Sequence, residues 1–156
     1  MNNFDFFEGT WTSHQRKLTK RLAGSDDWEE FPGYTRATRH LSGAASCDEV
    51  TFPTKGTSGL TLRLHDPATD LWSIYWVSGA DPVLGLPPVV GRFDGDRGEF
   101  FCDDEHEGTP VRCRFLWIRI DADHCRWEQA FSVDGERTWE TNWIADFTRE
   151  HPAGTP

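Results

Sequence analysis

The chain has 156 residues and a mass of 17.9 kDa, which is the size of one ordinary domain. Hydrophobic residues make up 37% and aromatic residues 13% of the chain, too many for a disordered protein. The net charge of −10 at pH 7 argues against a surface for nucleic acid or anionic membrane, and no apolar run approaches the roughly 20 residues of a membrane span.

The N-terminus and the cysteines predict a cytoplasmic protein. Residues 1–5 lack the basic and apolar regions of a signal peptide. The four cysteines, Cys47, Cys102, Cys113 and Cys125, are widely spaced and form no C-x-x-C pair, which favours reduced thiols over a disulfide framework. Zinc ligands would be paired at short spacing, so the sequence predicts no metal site, and we expect no cofactor.

Ten short runs predict β-strands, preceded by a helical turn at residues 4–7. In chain order the predicted strands are 10–22, 34–41, 49–52, 60–65, 72–77, 89–93, 99–103, 111–120, 125–132 and 138–148. The breaks between them contain turn residues, such as Asp66-Pro67 and Asp134-Gly135. Several breaks have hairpin length, which predicts antiparallel pairing of neighbours.

About ten antiparallel strands in one small domain must protect their edges, and closure into a barrel does so completely. We therefore predict an all-β fold: a single antiparallel up-and-down barrel over residues 1–150, followed by a C-terminal tail at 151–156. A barrel of eight strands already has room for side chains or one small ligand. A two-sheet sandwich is the competing architecture, but it normally needs longer crossover connections.

The segment 78–88 differs from the other breaks, because it is apolar and rich in Pro and Gly where a solvated loop would be polar. Val83, Leu84 and Leu86 need cover from water. The segment is therefore interpreted as a lid over the barrel mouth, as a contact with a second subunit, or as a plain surface loop.

Gly9-Thr10-Trp11 at the head of the first strand, together with Arg149 at the end of the last, resembles the calycin superfamily of lipocalins, fatty-acid-binding proteins and nitrobindin-like barrels. In lipocalins the terminal Arg lies across the Trp of the first strand. The resemblance implies a cation–π contact of about 0.5–2 kcal/mol that plugs the closed end of the barrel. Both residues would be structural.

A longer resemblance is to a group of bacterial calycin-like proteins that have no settled activity. The matching stretches are 6–11, 60–64, 72–76, 127–132 and 138–143, which together span most of the chain. This resemblance implies a calycin-like fold with a cavity, and it carries over no catalytic residue.

Residues 132–139 resemble the Asp-box hairpin, with Glu136 in place of the usual Gly. Asp134 is expected to accept backbone N–H bonds within the turn, Gly135 to adopt a positive φ, and Trp139 to pack under the hairpin. The role is structural and indicates nothing about sugars.

Alternation does not settle which face of each strand points inward. In strand 60–65 three leucines share one face, while Thr61, Arg63 and His65 share the other. The leucines and tryptophans could fill the interior, or the polar faces could line a ligand cavity. A one-residue error in register exchanges the two.

If the cavity is polar, its candidate ligand-binding residues are Arg63, Tyr75, Arg92, Trp127, Gln129 and Asn142. A buried Arg needs a carboxylate partner or an anionic ligand, and Glu140 is the candidate carboxylate. Tyr75 and Glu140 are also the candidate catalytic acid–base pair, provided that burial raises the pKa of the Glu.

Three functions are consistent with these patterns. The first is a barrel that binds a small apolar or aromatic molecule with a polar or anionic group. The second is an enzyme on the same barrel, such as a cyclase, isomerase or dehydratase of a bacterial natural-product pathway, a reading that rests on fold analogy. The third is a homodimeric interaction module without a ligand. No nucleic-acid or membrane partner is expected.

Overall fold

A computed structural model describes residues 3–151 of the chain and contains ten β-strands. The strands are β1 (Gly9–Leu18), β2 (Trp28–His40), β3 (Ala45–Phe52), β4 (Thr57–Asp66), β5 (Leu71–Ser78), β6 (Val89–Asp94), β7 (Arg97–His106), β8 (Thr109–Asp121), β9 (His124–Ser132) and β10 (Glu140–Arg149). A 3-10 turn at Asp5–Phe7 precedes β1, and a second at Leu41–Gly43 follows β2. The predicted tail lies, apart from His151, outside the described residues.

The ten strands form one closed antiparallel barrel. Each strand pairs with its neighbours in sequence, and β1 pairs with β10 to complete the ring. Every strand therefore has two hydrogen-bonded neighbours, which is the physical advantage of closure over an open sheet. The predicted all-β, up-and-down barrel of about ten strands with a short N-terminal helical turn is confirmed.

Two predicted strand boundaries are wrong at the same hairpin. β1 ends at Leu18 rather than at residue 22, and β2 begins at Trp28 rather than at residue 34. The prediction began the second strand too late because Pro32 and Gly33 are typical of breaks. Gly33 is needed inside β2, because a Cβ there would lie 2.5 Å from the Ser13 hydroxyl of β1.

The closed end of the barrel is built around Trp11 and Arg149, as the resemblance implied. The Arg149 guanidinium lies 4.2 Å from the centre of the Trp11 ring. It also donates hydrogen bonds to the backbone carbonyls of Phe6 and Glu8, at 2.7 and 2.6 Å. The last strand is thereby tied to the turn that precedes the first, which plugs this end.

The turn between β9 and β10 has the hydrogen bonds to Asp134 and the positive φ at Gly135 that were expected of an Asp-box, while Trp139 packs against Phe101 of β7. Asp134 accepts hydrogen bonds from the backbone N–H groups of Arg137 and Thr138, at 3.1 and 2.9 Å. The Thr138 hydroxyl also donates a hydrogen bond to Asp134. That bond is the largest cause, and the backbone bonds add to it, in lowering the pKa of Asp134 to about 2. Gly135 and Glu136 both adopt a positive φ, of 73° and 69°, so Glu136 occupies a conformation that favours glycine.

Among residues 3–151, neither helical segment has the length or the apolar character needed to cross a membrane.

Candidate functional site

The interior of the barrel contains a cavity of about 250 Å³. Its wall is mainly apolar and aromatic, with Phe52, Trp76, Trp127 and Trp143 among the large side chains. The polar residues in the wall are Gln15, Thr35, Asp48, Thr61, Arg63, Asp104 and Gln129. Pockets for drug-sized ligands measure roughly 300–1,000 Å³, so this cavity suits a smaller molecule.

The structure shows which faces of β4 and β5 point into the barrel. Arg63 and Thr61 line the cavity, whereas Leu60 and Leu64 lie on the outside and are 39% and 37% exposed. On the neighbouring strand the inward face carries Trp76, together with Trp72 and Ile74, which are both buried. The interior therefore combines a polar face of β4 with an aromatic face of β5.

The floor of the cavity holds a buried ion pair between Arg63 and Asp48. Their side chains are only 2% and 5% exposed, and Arg63 also donates a hydrogen bond to the Ser46 hydroxyl at 3.1 Å. Burial raises the pKa of Asp48, and the adjacent guanidinium opposes that rise. The carboxylate that the buried Arg needed is therefore Asp48 of β3, not Glu140, and the floor carries no net charge.

Aromatic rings enclose the guanidinium of Arg63 on its other sides. Its central carbon lies 4.9 Å from the centre of the Phe4 ring and 5.3 Å from those of Phe7 and Trp117. These rings belong to the core cluster at the closed end. They shield the ion pair from water, which strengthens both the attraction and the cost of breaking it.

Two amide side chains provide polar positions higher in the wall. Gln15 accepts a hydrogen bond from the Trp143 indole at 2.8 Å and donates one to the Ser13 hydroxyl at 2.8 Å. Gln129 donates to the carbonyl oxygen of Asn142 at 2.9 Å. Both amides are held in place by protein partners, as fixed polar groups in a ligand cavity usually are.

A pair of cysteines also faces the cavity. Cys102 of β7 lies directly opposite Cys113 of β8 in the strand register, and both line the wall as free thiols. A hydrogen bond between the two thiols lowers the pKa of Cys102 and raises that of Cys113. Cys125, at the closed end, is a buried thiol whose pKa burial raises to about 12.

The apolar loop between β5 and β6 lies at the mouth of the barrel. Gly85, Leu86 and Pro87 contribute to the cavity wall, and the Gly85 N–H donates to the carbonyl of Trp76 at 2.9 Å. Val83 and Leu86 remain 66% and 67% exposed. This placement is what the interpretation as a lid requires, while contact with a second subunit stays a prediction.

The structure separates the six predicted ligand-binding residues into three groups. Arg63, Trp127 and Gln129 line the cavity. Asn142 is fully buried beside Gln129 at a bulge in β10, where the register with β9 shifts. Tyr75 and Arg92 are not among the residues that line the cavity.

Tyr75 and Arg92 point outward for the same physical reason. Each lies between inward-facing neighbours on its strand, Tyr75 between Ile74 and Trp76, and side chains alternate along a strand. Arg92 is exposed and donates a hydrogen bond of 3.5 Å to the backbone carbonyl of Thr69 at the surface. Neither residue therefore lines the cavity that the structure describes.

The candidate acid–base pair of Tyr75 and Glu140 is not assembled. Tyr75 is on β5 and Glu140 on β10, and four strands separate them in either direction around the ring. Glu140 accepts a hydrogen bond from the backbone N–H of Leu22 at 2.8 Å, which anchors the β1–β2 loop at the mouth. Neither residue lines the cavity.

The sequence-based reasoning missed Asp48, Gln15, Trp143 and the cysteine pair. The predicted third strand began at residue 49, whereas β3 begins at Ala45, so Ser46 and Asp48 lay outside the prediction. The alternation of Ser46, Asp48 and Val50 was the signal that could have extended it, but only the register, in which Ser46 lies opposite Arg63, brings Asp48 to the same floor.

Comparison with known protein families and with curated proteins found no match for this chain. Among residues 3–151, no three His, Cys, Asp or Glu side chains are grouped so that they could hold a metal ion.

Proposed function

We propose that the chain is a calycin-like barrel that binds a small apolar or aromatic molecule in its interior. The observation that carries this proposal is the cavity of about 250 Å³ with aromatic walls and a few anchored polar groups. Aromatic side chains supply large contact areas, and a small number of polar groups sets the orientation of a ligand. A barrel that served only as a core would be filled by its own side chains.

The position of the polar groups supports binding over catalysis. Gln15 and Gln129 are amides, which do not titrate, and both are held by neighbouring side chains. The Asp48 carboxylate forms an ion pair with Arg63. The acid–base pair that an enzymatic reading would use, Tyr75 with Glu140, lies outside the cavity.

A matched pair of variants on β4 tests where a ligand binds. Thr61 lines the cavity, so Thr61→Trp fills the space that a ligand would occupy. Leu60, the adjacent residue, points outward and is 39% exposed, so Leu60→Trp makes a large change on the other face of the same strand. Circular dichroism checks that both variants fold.

The measurement is native mass spectrometry of protein purified from its own host, against a denatured control. A small molecule retained by the wild type and by Leu60→Trp, and lost from Thr61→Trp, is the expected result. If the wild type carries nothing, titration with naphthalenesulfonamide makes the same comparison through the fluorescence of the tryptophans in the wall. Equal binding by Thr61→Trp would place the ligand outside the barrel and contradict the proposal.

A further inference from the structure

The mouth of the barrel carries two cations that form no ion pair with a described residue. Lys17, at the end of β1, follows Ser13 and Gln15 on the inward face of that strand. Its ammonium lies 4.3 Å from the centre of the Trp143 ring, and Trp143 is part of the cavity wall. Lys17 forms no ion pair or hydrogen bond with the described residues, so its charge is available at the opening.

A second cation lies beside it in the loop between β1 and β2. The Arg21 guanidinium is 5.5 Å from the centre of the Phe131 ring. Like Lys17, it is half-buried and makes no ion pair within residues 3–151. Glu140 attracts Arg21 from a distance, but its carboxylate is already bonded to the backbone of Leu22.

Two further cations, Arg21 and Lys55, act on Lys17, while Glu29 lies opposite it in the register of β1 and β2. Burial is the largest cause of the lowered pKa of Lys17, and the charges of Arg21 and Lys55 lower that pKa further. Glu29 has a smaller effect in the opposite direction. Glu29 is itself paired with Lys55. The acid in the cavity wall near the mouth, Asp104, lies on β7, four strands away around the ring.

The contrast with the rest of the molecule makes this cluster informative. The chain has a net charge of −10, so its overall electrostatic field repels anions. The deep cation, Arg63, is neutralised by Asp48. The cations next to the cavity that no described carboxylate pairs with are therefore at its mouth and not at its floor.

We infer that the ligand of this barrel is a small amphipathic anion, whose apolar or aromatic body fills the cavity while its carboxylate, sulfonate or phosphate group contacts Lys17 and Arg21 at the mouth. The inference rests on the proposed function, since it assigns the chemical class and the orientation of the molecule bound there. A cleft of about 430 Å³ adjoins the mouth. Its charged residues are Lys17, Lys20, Arg21 and one carboxylate, Glu107, which is paired with His106 at 3.9 Å.

Two probes with the same aromatic body separate the charge from the body. Naphthalenesulfonate carries the anion, and naphthalenesulfonamide is its neutral counterpart. Affinities are measured by calorimetry for the wild type, for the double variant Lys17→Met/Arg21→Met, and for Arg36→Gln. Methionine keeps an aliphatic stem against the rings. Arg36 is an exposed cation on the outer face of β2, and its variant controls for the loss of a positive charge away from the mouth.

The wild type is expected to bind the sulfonate more tightly than the sulfonamide. The double variant should lose roughly tenfold or more in affinity for the sulfonate, because hydrogen bonds to charged groups are among the stronger ones, and should bind the sulfonamide within about twofold of the wild type. Raising the salt concentration should weaken binding of the sulfonate alone. Arg36→Gln should behave like the wild type.

Other outcomes separate the two proposals. If Thr61→Trp blocks both probes but the double variant binds the sulfonate as well as the wild type does, the anionic head does not lie at the mouth, and the inference is overturned while the proposed function stands. If neither probe binds, or if Thr61→Trp binds both unchanged, the proposed function fails and the inference fails with it.

Discussion

Removing either partner of the Arg63–Asp48 ion pair should destabilise the barrel far more than removing both. The two side chains are 2% and 5% exposed, so Asp48→Leu leaves an uncompensated guanidinium among Phe4, Phe7 and Trp117. Loss of one partner from a buried pair costs about 3–5 kcal/mol, whereas replacement of both by apolar residues is often neutral or stabilising. We expect that pattern for Asp48→Leu, Arg63→Met and the double variant.

The assay is equilibrium unfolding in urea at pH 7, followed by tryptophan fluorescence, with the four proteins forming a double-mutant cycle. Arg126→Met is the control. Arg126 pairs with Asp146 on the outer surface with side chains 35% and 36% exposed, so its loss should cost less than about 1 kcal/mol. Single variants that each cost less than that, or a double variant that costs the sum of the two, would refute the reasoning.

The pH dependence of Arg63→Met gives an independent check. Burial already raises the pKa of Asp48 while Arg63 opposes the rise, so removing Arg63 raises that pKa further. A carboxyl group whose pKa is higher in the folded than in the unfolded protein reduces stability at a pH above both values. The destabilisation by Arg63→Met should therefore shrink as the pH falls from 8 towards 5. A penalty that grows over this range would show that Asp48 is not buried as described.

Three further predictions concern the hairpin, the thiols and the closed end. Glu136→Gly should raise the free energy of unfolding by roughly 0.5–1 kcal/mol, because Glu136 has a φ of 69° that costs an L-residue about 1–2 kcal/mol, partly offset by the entropy of glycine; a lower urea midpoint would contradict this. Mass spectrometry after brief alkylation should find Cys47, which is half-buried, modified before Cys125, which is buried with a pKa of about 12; the reverse order would be inconsistent with the barrel packing. Arg149→Met should lower the free energy of unfolding by about 2–3 kcal/mol, because Arg149 donates to two backbone carbonyls and covers the Trp11 ring. Arg149→Lys should retain the charge and only part of that stability. An unchanged urea midpoint for Arg149→Met would show that the plug contributes nothing.

Local sequence was enough to predict the number and order of the strands. The ten runs of strand-forming residues and the turn residues between them depend on interactions within a few positions, and each predicted run contains part of one observed strand. Short connections then imply antiparallel neighbours, and ten such strands favour closure. The errors occur where a local signal misleads, as at Pro32 and Gly33, which lie inside β2.

The face that each strand turns inward was decided by tertiary structure. Leu62 and Arg63 are neighbours on β4 and face opposite sides, and only the pairing of Ser46 with Arg63 across β3 and β4 brings Asp48 to the same floor. Asp48 and Arg63 are 15 residues apart, and a shift of one position would exchange the interior for the surface. For the same reason the side chains of Tyr75 and Arg92 could be proposed from the sequence as cavity residues, although both point outward from the barrel.

The chain by itself determined a barrel of antiparallel strands, because strand periodicity and turn chemistry are local properties. The pairing of strands around the closed barrel turned the aromatic side chains towards the cavity and brought Asp48 to Arg63. It also placed Lys17 of the first strand beside Trp143 of the last. Such contacts join residues more than a hundred positions apart, as the hydrogen bond from Trp143 to Gln15 does. They exist only once the ring is complete, so no local pattern could indicate them.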